Sequence, residues 1–235
     1  TTKAAVDGYS IVTTIDASVQ SFIEKHLLAF NNKYKDNVRE GNGANNLGCI
    51  IMDVDSGNVL GMASYPNFDL NNPRDVSAYL TEEEIQVMQE EGTYYDYLNR
   101  LWRNFCISDT YEPGSTIKPF TVAVGLETGK LTGNEGYYCD GDMVVVESEN
   151  PVKCHNYKIG GCGNVNVEQA VAQSCNVALM EMGLTIGKNI FTDYQQRFNF
   201  GLKTNVDLAG EARTAELVYN EDNMGVMELA TCSFG

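Results

Sequence analysis

No stretch of this chain approaches the roughly eighteen continuous apolar residues of a membrane-spanning helix, and no apolar leader run opens it. It begins in polar material, "TTKAAVDGYS", as an excised domain would, so the missing anchor leaves the location of the protein open. Basic side chains are scarce: 16 Lys and Arg stand against 32 Asp and Glu, for a formal charge of −16. That excess repels phosphate backbones and anionic headgroups, which argues against nucleic acid and membrane surfaces as partners. Internal repeats and low-complexity segments are absent. The seven cysteines are an odd number, which argues against a complete disulfide framework. Tight C-x₂₋₄-C pairs of the zinc-site kind are missing too. Cys139, Cys154, His155 and Cys162 form the one cluster with conceivable ligand spacing, yet the expectation is no metal. A Cys139–Cys154 bridge across a hairpin is favoured over it if the domain is extracellular. Cys49, Cys106, Cys175 and Cys232 sit among apolar neighbours, as small hydrophobes do.

What the chain has is enough apolar material, 43% of 235 residues, for one substantial core or two small ones. "YSIVTT" (9–14) alternates and is β-branched, predicting a strand. Asp16 reads as the N-cap of a helix carrying Val19, Phe22, Ile23, Leu27 and Phe30 at helical spacing. Residues 37–46 read as a solvated loop. "LGCIIMDVDSGNVLGMASYP" (47–66) predicts a hairpin turning at Asp55-Ser56-Gly57-Asn58. Thr81 to Glu84 match the capping box of an acidic, solvated helix. Residues 98–107 and 164–187 have helical composition, and 136–163 read as a small β excursion inserted between helices. Strands and helices in this order predict an α+β fold, or α/β with a mainly antiparallel sheet.

The chemistry centres on "EPGSTIKPF" (112–120). Pro113-Gly114 makes a turn, and the helix predicted after it ends near Gly129. Ser115 then lies at the helix start with Lys118 one turn on, on the same face. A serine hydroxyl needs a base, and a lysine serves as one only when its amine is neutral, which desolvation favours. The competing reading is plain: serine caps helices, lysine decorates them, and a chain this long contains roughly one S-x-x-K by chance. Ser115 begins the one match here, and "PFTVAVGL" after it buries the pair rather than solvating it.

Such a site needs further polar groups to relay the proton and hold an amide. Of three Ser-x-Asn triplets, Ser56-Gly57-Asn58 and Ser148-Glu149-Asn150 fit turn chemistry. Ser174-Cys175-Asn176 instead interrupts an apolar helical stretch, where polar groups need partners. They are either mutually satisfied structural groups or the lining of a site.

Together "YEPGSTIKPF" and, 59 residues after Ser115, "SCN" resemble the transpeptidase domain of class B penicillin-binding proteins, whose group carries S-x-x-K, S-D-N and K-T-G motifs. "IVTTIDASVQ", "GCIIMDVDSGNVLGMASYPNFDLNNP", "RNFCISDTYEPGSTIK" and "FGLKTNVDLAGE" resemble further stretches of that family, so the likeness spans nearly the whole chain, residues 1–235. The "RN…SDTYEPGST" run is closer to the septal and sporulation branch than to the elongation branch. The fold implied is that of penicillin-binding proteins and serine β-lactamases.

The resemblance implies that Ser115 is acylated by the D-Ala-D-Ala end of a peptidoglycan stem peptide with Lys118 as base. Ser174 would relay the proton, Asn176 would hold substrate or lysine, and the Ser115 N–H would donate to the oxyanion. An amine of a neighbouring strand would complete the cross-link; β-lactams would acylate the same serine. No metal or organic cofactor is implied. The expected setting is the outer face of a bacterial membrane, beside division or sporulation proteins. Departures are Cys175 in the second motif, Cys162 where many relatives have histidine, and the lack of any Lys-Thr/Ser-Gly. "LKTN" (202–205) is a near miss with Asn205 in the glycine position. The expectation is therefore a partial domain, its sheet and cleft incomplete and its activity alone weak or absent. The rival readings are a β-lactamase or β-lactam receptor, and a non-catalytic assembly module.

Overall fold

The computed structural model describes residues 7–37, 43–147 and 149–235; the expected loop tip at 38–42 and Ser148 of the second triplet lie outside the described residues. The architecture is α+β, and the chain divides into two compact units: Thr1–Asp109 with Leu208–Glu211, and Thr110–Asp207 with Ala212–Gly235.

In the first unit, Asp16 caps helix α1 (Ala17–Tyr34) by accepting from the N–H groups of Ser18 and Val19. The cap satisfies donors that the first helical turn leaves free. Strands β1 (Leu47–Met52) and β2 (Val59–Tyr65) form the expected antiparallel hairpin, pairing Leu47 with Tyr65. Gly57 turns it at φ +74°, a conformation that disfavours a side chain. Helix α2 (Glu82–Glu90) starts at a complete capping box, with Thr81 and Glu84 bonded reciprocally, and buries no residue. Helices α3 (Tyr94–Leu101) and α4 (Phe105–Ser108) follow, so the single helix suggested at 98–107 is broken at 102–104. Leu98 and Leu101 pack with Val76 in a small core.

The strand expected at 9–14 is absent, and Tyr9, Ile11 and Val12 are exposed. A strand needs a ladder, and this segment reaches β2 only through the Thr14 hydroxyl on the Val59 carbonyl and the Asp16 N–H on that of Leu60. The amphipathic helix forms, but Phe22 and Phe30 stay on its surface, stacked near His26 and Tyr34, while Ile23 is buried.

The second unit is mainly helical. A short 3₁₀ turn (Gly114–Ile117) feeds α5 (Lys118–Glu127), and Gly129 follows its end at φ +67°. The excursion holds β3 (Gly136–Cys139), β4 (Asp142–Met143), β5 (Val152–Lys153) and β6 (Gly163–Asn166). Here β3 pairs with β6 and β4 with β5, both antiparallel. Helices α6 (Val167–Ala172), α7 (Asn176–Ile186), α8 (Lys188–Arg197) and α9 (Val226–Cys232) complete the unit. Residues 202–205 lie between α8 and α9 and form no strand.

Helix α7 is the axis: Val177 to Met180 and Met182 are buried, and α5 and α9 pack against it. Two contacts fix the approach. The Thr121 hydroxyl donates to the Ser233 carbonyl at 2.8 Å. At Gly183, an added Cβ would fall on the Ser233 hydroxyl. Gly183→Ala is therefore expected to push α9 off α7 and to cost about 1–3 kcal/mol, read as a lower midpoint in urea unfolding. An unchanged midpoint would mean that Ser233 yields freely.

Candidate active site

Ser115 and Lys118 reach one place from two kinds of turn. The 3₁₀ turn presents Ser115, and Pro119 is tolerated because it falls in the first turn of α5, where N–H groups have no intrahelical partner. From the other side, α6 ends at Ala172 and α7 restarts at Asn176. Between them Ser174 takes φ +53°, a left-handed conformation rare for a residue with a side chain. That bend turns the carbonyl and hydroxyl of Ser174 toward α5.

The amine of Lys118 fills the pocket so formed. Only 1% of this residue is exposed. Its Nζ donates to the Ser174 carbonyl at 2.7 Å, to Ser174 Oγ at 2.7 Å and to Asn176 Oδ1 at 2.8 Å. Ser174 Oγ in turn donates to Ser115 Oγ at 3.0 Å. Asn176 is anchored at its other end, where Nδ2 donates to the Lys153 carbonyl of β5 at 3.2 Å. The Phe234 ring lies 6.0 Å from the amine. Burial holds the Lys118 pKa below the ordinary lysine range, while the thiols of Cys154, Cys175 and Cys162 pull weakly the other way.

The four residues singled out from sequence thus share one hydrogen-bonded line, from Ser115 through Ser174 to Lys118 and Asn176. The Ser56 triplet lies apart: its hydroxyl donates to Asp53 Oδ2 inside the hairpin turn.

The cysteines depart from expectation. Cys139 and Cys154 are unbridged, and all seven thiols are free. Cys175 is no mere hydrophobe: its sulfur caps α7 by accepting from the Ala178 N–H and joins those of Cys139, Cys154 and Cys162. His155, by contrast, stays out of that group. Burial would raise the Cys154 thiol, but N–H groups of Asn156 and Asn176 and the neighbouring thiols of Cys162 and Cys139 bring it down to about 6. Burial pushes the thiols of Cys162 and Cys175 up. Cys139, Cys154 and Cys162 of the cluster suggested by spacing do meet; the member missed in the sequence was Cys175, 13 residues beyond Cys162 and set among apolar neighbours.

A family model described as the penicillin-binding protein transpeptidase domain matches residues 47–233. Stage V sporulation protein D of Bacillus subtilis (strain 168) is 30% identical over 229 residues, covering 97% of this chain and 30% of that protein. Peptidoglycan D,D-transpeptidase FtsI of Escherichia coli (strain K12) is 26% identical over 231 residues, covering 97% of this chain and 32% of that protein. The chain spans about a third of the length of these relatives. The transpeptidase domain of Burkholderia pseudomallei penicillin-binding protein 3 shares the fold, with a TM-score of 0.69 at 22% identity, covering 98% of this chain and 54% of that one. With four polar side chains in one line and a family match over most of its length, this chain belongs to the penicillin-binding-protein transpeptidase family.

Proposed function

We propose that the chain is the acyl-transfer part of a serine-type peptidoglycan D,D-transpeptidase of the division or sporulation kind, acting outside the cytoplasmic membrane. On this reading residues 1–235 are part of one transpeptidase domain, with 136–163 as a small insertion. Among the described residues no helix is long and apolar enough to cross a membrane. The observation that carries the reading is the contact line Ser115 Oγ–Ser174 Oγ–Lys118 Nζ, at 3.0 and 2.7 Å, ending on a buried amine.

The line works in both directions because hydroxyl hydrogens rotate. With Lys118 charged, its three N–H groups match three acceptors. With Lys118 neutral, two N–H groups stay on the Ser174 carbonyl and Asn176, and the lone pair faces the Ser174 hydroxyl. Ser115 then donates to Ser174 and Ser174 to Lys118, so the proton leaves Ser115 in two short hops as its oxygen attacks the penultimate D-Ala carbonyl carbon. The C–N bond to the terminal D-alanine breaks, and the proton returns along the same line to the departing amine. An amine from a neighbouring stem peptide then attacks the ester and frees Ser115. The Ser115 N–H serves as one oxyanion donor. A β-lactam carbonyl follows the first half of this sequence and stays bound as the ester.

Three outcomes follow, each read by intact mass with benzylpenicillin on the protein as its cell makes it. One covalent adduct forms, and Ser115→Ala abolishes it without change in the far-UV circular dichroism; an adduct that survives the substitution refutes the nucleophile assignment. Lys118→Arg keeps the charge but cannot lose a proton, and slows acylation by about 10²–10⁴-fold. The 235 residues alone, which contain no Lys-Thr/Ser-Gly, label at least about 100-fold more slowly than the cellular protein, as for loss of one oxyanion donor.

The pH dependence has a definite sign. Burial lowers the amine's pKa, so the basic form gains population as pH rises, and acylation levels off below the ordinary lysine value of about 10.4. The facing titratable groups are the thiols of Cys154, Cys175 and Cys162. A pH–rate profile with its inflection at or above the ordinary value would remove Lys118 from the relay.

A further inference from the structure

The serine chemistry leaves a second convergence unused. The Sγ atoms of Cys139, Cys154, Cys162 and Cys175 all lie within 4.8 Å of one another, and three of the four residues are buried. Each comes from a different piece of chain: the end of β3, the residue after β5, the Gly160–Gly163 turn and the cap of α7. Small apolar side chains packing a core have no reason to aim four sulfurs at one point. The Cys154 and Cys162 sulfurs stand 3.8 Å apart. Four thiolates bound tetrahedrally at about 2.3 Å from one ion stand about 3.8 Å from each other.

Hydrogen-bond donors surround the sulfurs. The backbone N–H groups of Asn156 and Asn176 point at Cys154, Asn156 Nδ2 donates to Cys162 Sγ at 3.5 Å, and the Ala178 N–H donates to Cys175 Sγ at 3.5 Å. Donors of this kind orient ligating groups from outside the coordination shell. The backbone also makes room: Gly161 has φ +82°, and a Cβ there would strike the carbonyl of Cys139 and the N–H of Gly141. Only glycine lets the turn carrying Cys162 lie so close to the strand carrying Cys139.

We propose that Cys139, Cys154, Cys162 and Cys175 hold one zinc ion in a closed, tetrahedral, four-thiolate site that ties the β3–β6 excursion to the Ser174–Asn176 bend. Four thiolates with no further ligand position make a structural site rather than a catalytic one. The sulfurs are too close together to enclose a multi-iron cluster, which favours a single ion. Binding releases thiol protons and adds its free energy to folding. Because Cys175 stands between Ser174 and Asn176, the ion fixes the residues that hold the Lys118 amine. Metal content is read without any acyl transfer, so this inference and the transpeptidase reading can fail separately.

The test is metal analysis of the chain purified under reducing conditions, with cobalt(II) as a spectroscopic probe. About one zinc per chain is expected, and cobalt(II) should give intense visible bands and a near-ultraviolet thiolate band of a tetrahedral site. Zinc should fall to near zero in Cys162→Ser and stay at about one in Cys49→Ser, whose thiol is not among the four. Chelation should lower the melting temperature by at least about 5 °C. If the serine variant does not fold, cobalt titration of the unaltered chain decides alone. The proposal is overturned by four freely titrating thiols with no cobalt–thiolate band, by disulfides among these four cysteines, or by iron in place of zinc.

Discussion

A lysine amine held almost entirely out of water is the constraint on which the second unit depends. Stripping an ammonium of solvent costs several kcal/mol even after the protein relaxes. Three hydrogen bonds to it, each contributing about 1.5–3 kcal/mol, are of the size needed to offset that. All three acceptors come from residues 174 and 176, so the break between α6 and α7 is a requirement of the buried amine and not an accident of chain direction. Some uncompensated burial remains, and it is visible as the lowered Lys118 pKa.

The packing of helices around α7 serves the same end. Proton transfer between hydroxyls and an amine tolerates little error in distance. The Thr121–Ser233 hydrogen bond, the close approach at Gly183 and the rings around Phe120, with Phe191, Phe198 and Phe200 at 5.0–5.5 Å, stiffen the helix that carries Lys118. These contacts never touch Ser115, Ser174 or the Lys118 amine, yet they set where those groups stand.

Much of this was legible in the sequence where the determinants are local. The spacing of Ser115 and Lys118, the polar interruption at 174–176, the Asp16 cap, the Thr81 box and the turn at Gly57 each lie within a few residues, and each forms as read. Failures came where distant segments decide. Residues 9–14 have strand composition but no ladder, and composition cannot supply a partner. Cys175 looked like filler because its neighbours in sequence are apolar, whereas its neighbours in space are three sulfurs from residues 139, 154 and 162. Cys139 and Cys154 suggested a bridge as a pair; the structure makes them half of a foursome.

The bend at position 174 narrows what can live there. A left-handed backbone costs an ordinary residue about 1–3 kcal/mol, which glycine would relieve, yet glycine has no oxygen to offer the lysine or Ser115. Asparagine tolerates the corner but brings an amide instead of a rotating hydroxyl, and threonine has the hydroxyl but a branched Cβ that fits the corner worse. Serine alone among the twenty reconciles the shape of that bend with a hydroxyl set between Ser115 and the Lys118 amine, so under the proposed relay an improvement in local comfort there is also a loss of reactivity.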